Sequence, residues 1–308
     1  MIATALSGPL LGQVLAVFSA ASFAFANYFI SRTTRSGGDK GVMFSVLVTM
    51  GISALLWLVL EGAAVARPQS RADWLALGWF AVAGVLAMVF GRTLVFESIR
   101  RLGVTRSAAV KRLNPFFSVI LAAILLSEAI TRLDLVGMAA IAAAFGILIR
   151  ESFRARGRLA VAAPPPAAYL FGIFGALAYA MAYIARKAGL DVLPTPAFGT
   201  FLSAACGFVA FAGLALVSPV RRGHFALMFR HLDRWIVAAA VMVSFGQIFL
   251  FAALAYESVS TVVMIASLEI FISIFLTVVI FRTETRPGLL IGVAAVLATV
   301  GVVLVAVS

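Results

Sequence analysis

Charged residues are scarce in this 308-residue chain, where they make up 12% of the sequence, whereas soluble domains carry about 25%. Hydrophobic residues make up 63%, and the mean hydropathy is +1.12. A chain of this composition has too few polar residues to cover a surface that faces water. Its apolar residues must therefore face lipid as well as a protein core, which excludes a soluble domain.

Cysteine and histidine are nearly absent, and this limits the chemistry available to the protein. Cys206 is the only cysteine, so an intramolecular disulfide and a multi-cysteine metal site are both excluded. His224 and His231 lie in one basic loop without a carboxylate cluster. No glycine-rich phosphate-binding loop occurs, and the loops are too short to hold an ATPase domain. The sequence therefore predicts neither a metal site nor a cofactor.

Ten apolar runs of the length that crosses a membrane dominate the chain. They lie at about 10–30, 41–60, 74–98, 105–126, 133–149, 168–187, 196–217, 234–256, 260–281 and 288–307. The first run lacks a basic leading region and is longer than the apolar part of a signal peptide, so we interpret it as the first span. A polar segment with three prolines, Pro164 to Pro166, separates two sets of five runs. We predict a first repeat at 1–150, a linker at 151–167 and a second repeat at 168–308.

The two sets of five runs align with each other at a constant offset of 155 residues. The matched pairs are Phe90 and Phe245, Gly91 and Gly246, Phe96 and Phe251, Phe116 and Phe271, Ser118 and Ser273, Gly137 and Gly292, and Gly146 and Gly301. Because five is odd, the second set must enter the membrane from the opposite side. This predicts an all-α integral membrane protein whose ten transmembrane helices form two inverted five-helix repeats. Such a plan is typical of secondary transporters that bind substrate near the midplane.

Charged residues within the apolar runs are the first candidates for a binding site. A charge inside a membrane helix costs about 2.5–3.5 kcal/mol on insertion scales and usually faces a cavity or a partner. Arg92, Lys111 and Arg112 lie in or at the mouth of the third and fourth runs. Glu269 is the only carboxylate near the middle of a run, and it aligns with Asn114. We predict that these cations bind a substrate carboxylate, while Glu269 binds an amine or carries a proton.

Four further residues are candidates for contact with a substrate. Tyr179 and Tyr183 have rings that can stack on a ligand, and Asn114 and Gln247 have amides that can hydrogen-bond to it. Structural explanations stay open for the whole set. Lys111 and Arg112 can snorkel to the headgroups, and Arg92 can be a structural partner of Glu269. The tyrosines can anchor the membrane interface.

Two motifs lie at equivalent places in the halves. The first half reads GRTLVFESIRRLGVTRSAAVKRLNPFFSVILAAILLSE, with a short loop, a proline-centred span and a closing glutamate, Glu128. In the second half, FRTET places Glu284 at the equivalent loop. With these motifs and its two sets of five runs, the chain resembles the EamA group of the drug/metabolite transporter superfamily. The chain departs from the pattern where Ile270 replaces a usual proline and where Lys111 and Arg112 replace small or apolar residues.

The resemblance implies a secondary transporter that works by alternating access. Within the group, the chain most resembles amino-acid and metabolite exporters of the YddG type. This implies export of small polar metabolites, with amino acids as the favoured class, across the inner membrane of a bacterium. Protons are a candidate coupling ion. Exporters of lipophilic cations or drugs and exporters of organic anions are alternatives within the same fold. A membrane-embedded enzyme or a scramblase-like protein is disfavoured, because no apolar run holds a histidine or paired carboxylates.

The net charge of +12 comes mostly from basic residues between the apolar runs. It favours contact with anionic lipid headgroups rather than nucleic acid, and we expect a monomer. The loops after odd-numbered runs carry 18 lysines and arginines, and the other loops carry 5. The positive-inside rule then places both termini outside the cytoplasm, whereas the resemblance implies that both lie inside.

Overall fold

A computed structural model describes residues 8–32, 42–63, 67–102, 104–156, 165–217, 222–223, 229, 232–282 and 289–308. These described residues form helices and no strand, and ten helices are long and apolar enough to cross a membrane. They are α1 (Gly8–Arg32), α2 (Met43–Glu61), α3 (Arg71–Leu102), α4 (Arg106–Leu125), α5 (Arg132–Glu151), α6 (Ala167–Val192), α7 (Pro196–Leu216), α8 (Arg234–Tyr256), α9 (Val259–Ile280) and α10 (Leu289–Ala306). The predicted all-α architecture with ten transmembrane helices is confirmed.

The packing of these helices follows a two-fold relation between the halves. Helix α1 packs on α8 as α6 packs on α3, and α2 packs on α8 as α7 packs on α3. Helix α1 contacts α9 as α6 contacts α4. Three further pairs, α2 with α7, α4 with α9 and α5 with α10, join equivalent helices across the axis. The halves are therefore inverted five-helix repeats that pack mainly on each other.

Small residues allow helices of the two halves to approach closely. A Cβ atom added at Gly137 in α5 would lie 2.5 Å from the carbonyl oxygen of Gly301 in α10. In α3, a Cβ atom at Gly84 would collide with the carbonyl of Ser203 in α7. Glycine at these positions removes the side chain that would hold the backbones apart, as is common where membrane helices pack.

Two carboxylates of the first half cap helices of the second half. Glu128, just after α4, accepts hydrogen bonds from the backbone N–H groups of Val259 and Ser260 at 2.7 and 3.1 Å. Glu61, at the end of α2, accepts them from the N–H groups of Ala197 and Phe198 at 2.7 and 2.9 Å. The first N–H groups of a helix have no partner within it and favour a negative charge. Both contacts lie on the face where α1 begins and α10 ends, which we name the terminal face.

Helices α4 and α9 are interrupted at equivalent positions. The first consists of the pieces Val104–Lys111 and Asn114–Leu125. The second consists of Val259–Ala266 and Glu269–Phe275, followed by a π-helical segment. The two interruptions are 155 residues apart, which is the repeat offset found in the sequence. Discontinuous helices at corresponding positions of two inverted repeats mark the binding region in transporter folds.

Several residues singled out in the sequence lie outside the described part of the chain. They are Pro164, His224, His231 and Glu284. The helix that contains α5 continues to Arg156, six residues into the segment predicted as the linker. The domain boundaries stay predictions. Within the described residues, no three His, Cys, Asp or Glu side chains come together as a group that could hold a metal ion.

Candidate functional site

A cavity of about 420 Å³ lies beside the two interruptions. Helices from both halves form its wall, namely α1, α4 and α5 from the first and α6, α8 and α9 from the second. The predicted site residues on this wall are Lys111, Arg112, Asn114, Tyr179, Tyr183, Gln247 and Glu269. The structure thus brings seven of the eight predicted residues together from four helices. That they bind a substrate stays a prediction.

Proline accounts for the interruption in α4. Pro115 is the second residue of the piece Asn114–Leu125. It has no N–H to donate, and in a continuous helix its ring would clash with the carbonyl four residues earlier. Before it, the hydrogen bonds span three residues instead of four, because the N–H groups of Arg112 and Leu113 donate to the carbonyls of Ala109 and Val110.

The interruption in α9 forms without a proline, because Ile270 stands at the position equivalent to Pro115. Here the hydroxyl of Ser267 donates to the carbonyl of Met264 at 2.6 Å. The N–H of Leu268 donates to the carbonyl of Ile265, three residues back. A serine hydroxyl that bonds to a nearby carbonyl competes with the regular helical ladder. The sequence did not lead us to predict this second interruption.

The first residues after the two interruptions make equivalent contacts between helices. In the first half, the Asn114 side-chain amide donates to the carbonyl of Ala176 in α6 at 3.2 Å. In the second half, the Glu269 carboxylate accepts a hydrogen bond from the Asn27 amide in α1 at 2.6 Å. The pair α4 and α6 is equivalent to the pair α9 and α1. In each pair, a polar side chain bonds an interrupted helix to the first helix of the other half.

Lys111 and Arg112 flank the interruption of α4, and both line the cavity. Lys111 is exposed, and its Nζ lies 5.8 Å from the centre of the Tyr179 ring. Arg112 is half-buried, with its guanidinium 5.2 Å from the centre of the Phe145 ring. Such contacts with aromatic faces attract a cation without neutralising it. Arg112 and Glu269 attract each other electrostatically but do not form an ion pair within 4.0 Å.

Arg92 lies on the wall of a second, smaller cavity of about 110 Å³ and not on that of the larger one. It directly follows a π-helical segment of α3, Leu86–Gly91. Segments of this kind are frequent at functional sites. The wall of this cavity includes five residues with a hydroxyl group, namely Ser45, Thr49, Tyr179, Thr200 and Ser203. The structure therefore separates Arg92 from the cavity that holds Glu269.

Arg186 lies on the walls of both cavities, and the sequence analysis missed it. The sixth apolar run is predicted to end at residue 187, which would place Arg186 at the membrane surface. Helix α6 instead continues to Val192, and Arg186 is only 5% exposed. The available signal was Lys187, which pairs with Asp191 one helical turn later and indicates that the helix continues.

Tyr179, Arg186 and Gln247 contribute to the walls of both cavities, so the two spaces adjoin at these side chains. Exposed residues of the larger wall, Asn27 and Lys111, lie towards the face opposite the terminal face. On the terminal face the halves are joined by hydrogen bonds, including one from Gln13 in α1 to the Ala306 carbonyl in α10 at 2.8 Å. The site is thus open towards one face and fastened at the other.

The profile of the EamA-like transporter family matches residues 10–150 and 166–307, nearly the whole chain and once for each half. The chain belongs to this family. It is therefore a multi-pass membrane protein, and its family points to a non-enzymatic transporter, for which small-molecule substrates and lipids are the expected partners. One solved crystal structure, described only as that of a protein, aligns with a TM-score of 0.67 at 16% identity, covering 96% of this chain and 95% of that one. It shows that the fold is shared. No curated protein matches the chain.

Proposed function

We propose that this protein is a secondary transporter that moves small polar metabolites by alternating access, with amino acids as the favoured substrates. The observation that carries the proposal is the composition of one cavity wall, where Lys111 and Arg112 of the first half lie with Glu269 of the second. A zwitterion has a carboxylate for the cations and an ammonium group for the carboxylate. The two charged groups therefore hold the substrate between the halves, at the interrupted helices.

Each predicted residue on the larger wall has a role in this scheme. Lys111 and Arg112 attract the substrate carboxylate, and Glu269 accepts the ammonium group or a proton. Asn114 and Gln247 offer hydrogen bonds, and the rings of Tyr179 and Tyr183 cover the apolar part of the substrate. Because Arg112 and Glu269 form no ion pair with each other, both charges stay available to a ligand.

The inverted repeats supply the means of moving the substrate. For the protein to open at the terminal face, contacts between the halves must break. One of them is the contact of Glu128 with the start of α9. Closing at the other face brings the equivalent elements together. No nucleotide-binding loop occurs in the sequence, so a substrate or ion gradient drives the cycle. By its resemblance to YddG-type exporters, we place the protein in a bacterial inner membrane, working in export.

The cavity distinguishes among the alternatives within transport. Lipophilic cations are disfavoured, because Lys111, Arg112 and Arg186 outnumber Glu269 on the larger wall. Organic anions are favoured by the same observation. An enzyme or a scramblase-like protein gains no support from the arrangement of charges.

The test is counterflow in proteoliposomes loaded with a panel of unlabelled amino acids, with uptake of the matching labelled compound as the measurement. Wild-type protein should accumulate label well above empty liposomes. Arg92→Gln removes the cation of the smaller cavity, which adjoins the substrate cavity, and should lower uptake. Arg101→Gln, which removes a cation paired with Glu97 on the outer surface of α3, should not. If folded wild-type protein transports no member of the panel, the proposed function is wrong. If Arg92→Gln transports at the wild-type rate, Arg92 is a structural residue.

A further inference from the structure

The walls of the two cavities carry more positive than negative charge. Lys111, Arg112 and Arg186 line the larger cavity. Among the described residues of that wall, Glu269 is the single carboxylate. The smaller cavity adds Arg92 and no acidic side chain of the described chain. A charge that leaves water for a protein wall is costly unless an opposite charge lies nearby. The imbalance therefore favours the entry of an anion.

Arg186 is the most deeply buried of these cations, at 5% exposure. Its guanidinium lies 4.8 Å from the ring centre of Phe251 and 5.5 Å from that of Tyr183. No carboxylate of the described chain lies within 4.0 Å of it. Its buried Nε has no hydrogen-bond partner among the described residues. An aromatic face attracts the cation but leaves its in-plane N–H donors unused.

The position of Arg186 matches that of a ligand-binding group. It lies on the shared wall of both cavities, beside Tyr179 and Gln247. A molecule that passed from one space to the other would come into contact with its guanidinium. Buried charges are normally paired, and when one lacks a partner in the protein, a ligand of opposite charge is the natural partner.

We propose that the transported substrate carries a net negative charge and that Arg186 binds its anionic group at the junction of the two cavities. This inference rests on the proposed transport function. Among amino acids, it points to the acidic ones as substrates. These belong to the small dicarboxylates, the chemical class that the proposal names.

The chemistry of the wall fits a dicarboxylate that also carries an amine. A guanidinium presents a planar fork of donors that matches a carboxylate in two parallel hydrogen bonds. One substrate carboxylate then binds Arg186, and the second meets Lys111 or Arg112 nearer the open face. Glu269 accepts the ammonium group. A neutral amino acid would leave one set of cations without a counter-charge.

The test compares substrates of equal shape and different charge. Proteoliposomes are assayed by counterflow with labelled glutamate against glutamine, and with aspartate against asparagine. Wild-type protein should transport the acidic member of each pair at least about tenfold faster, because a site built around a charge strongly rejects the analogue that lacks it. Succinate, which has the two carboxylates without the amine, reports on the contribution of Glu269.

Variants of Arg186 assign the preference to this residue. In Arg186→Gln, the ratio of glutamate to glutamine transport should fall to about one. Arg186→Lys keeps the charge and loses the fork, so it should retain part of the preference. Lys187→Gln is the matched control, since this neighbouring cation lines neither cavity and bonds to Asp191 and the Leu254 carbonyl. It should transport with the wild-type ratio.

The outcomes separate this inference from the proposed function. Equal or faster transport of glutamine and asparagine by wild-type protein would overturn the inference and leave amino-acid transport standing. Transport of other amino acids of the panel but of no member of either pair would likewise overturn the inference alone, whereas transport of no amino acid of the panel by folded protein would overturn both. Where Arg186→Gln fails to fold, a rise in the wild-type melting temperature with glutamate and not with glutamine supports the inference, and equal shifts contradict it.

Discussion

The side-chain amide of Asn27 in α1 donates to the Glu269 carboxylate in α9 across 2.6 Å. Among the described residues of the larger wall, Glu269 is the single carboxylate, and this bond holds it in a fixed position at the first residue after the interruption of α9. Asn114 makes the equivalent contact in the other half, where it is an amide and carries no charge. The charge of Glu269 is therefore not needed for a helix contact of this kind, and in the proposed function it binds the ligand.

Replacement of Glu269 with glutamine tests this directly. Glu269→Gln retains a side-chain oxygen that can accept the Asn27 bond and removes the charge, so folding should be preserved. We expect transport to fall by about 100-fold or more, as for loss of a charged partner worth about 3 kcal/mol. Initial rates in proteoliposomes measure the effect. Glu97→Gln, which changes a carboxylate paired with Arg100 and Arg101 outside the cavity, is the control.

Lys111 and Arg112 should differ in their effects because they differ in exposure. Lys111→Gln should raise KM with little change in kcat, and the effect should shrink as salt increases, because salt screens exposed charges. Arg112→Gln should impair transport to a similar extent at all salt concentrations, since its half-buried guanidinium is screened less. Rates at low and high ionic strength give both answers. If both variants match the wild type, these cations serve membrane topology alone.

The orientation of the termini follows from the distribution of basic residues. The positive-inside count predicts that Ser308 lies outside the cytoplasm. A reporter enzyme that is active only in the periplasm, fused after Ser308, should therefore be active. A fluorescent protein that folds only in the cytoplasm, fused at the same point, should be dark. The reverse pattern with good expression would show that the family expectation is right and the charge count misleading.

The contact of Glu128 with α9 can be observed through the amides that it caps. In Glu128→Gln, the N–H groups of Val259 and Ser260 lose a charged acceptor, so their hydrogen exchange should become faster. Exchange at Ala197 and Phe198, which are capped by Glu61 instead, should not change. Mass spectrometry on peptides that cover the two sites provides the measurement and its internal control. Faster exchange at both sites would indicate general unfolding rather than a loss of this contact.

The glycine contact between α5 and α10 should be sensitive to a single methyl group. Gly137→Ala places a Cβ atom against the backbone of Gly301, and overpacking of this kind costs about 1–3 kcal/mol. Gly146→Ala, in the same helix, adds a Cβ atom that meets nothing within 4 Å, so stability should change by less than about 1 kcal/mol. Thermal unfolding in detergent compares the two. Equal melting temperatures would show that the helices can separate without cost.

The sequence predicted the ten helices well because a membrane imposes one strong requirement, a run of about 20 apolar residues. It also directed attention to Lys111, Arg112 and Glu269, because charges are rare in such runs. It failed for Arg186, which lies near the end of its run, where a polar residue is usually at the membrane surface. Only the packing of α6 against α3 and α8 shows that this arginine is buried.

The two interruptions also differ in whether they can be predicted from the sequence. Pro115 signals the first through its own covalent structure, whereas the second depends on a serine hydroxyl and on tertiary contacts that no local pattern displays. Arg92 was grouped with the other cations because the third and fourth runs are adjacent in the sequence. Its place on a separate wall depends on how α3 turns relative to α2 and α7, which periodicity does not reveal.

The difference between Pro115 and Ile270 makes the two breaks mechanically unequal. In a continuous helix, the N–H of residue 270 would bond to the carbonyl of Ala266, and isoleucine has the donor for that bond. Proline has no such donor, so α4 lacks this hydrogen bond at Pro115 in every state of the protein. Of the two interrupted helices, only α9 can therefore form the bond across its interruption. The interruption in the first repeat is permanent, whereas the interrupted helix of the second repeat can become continuous.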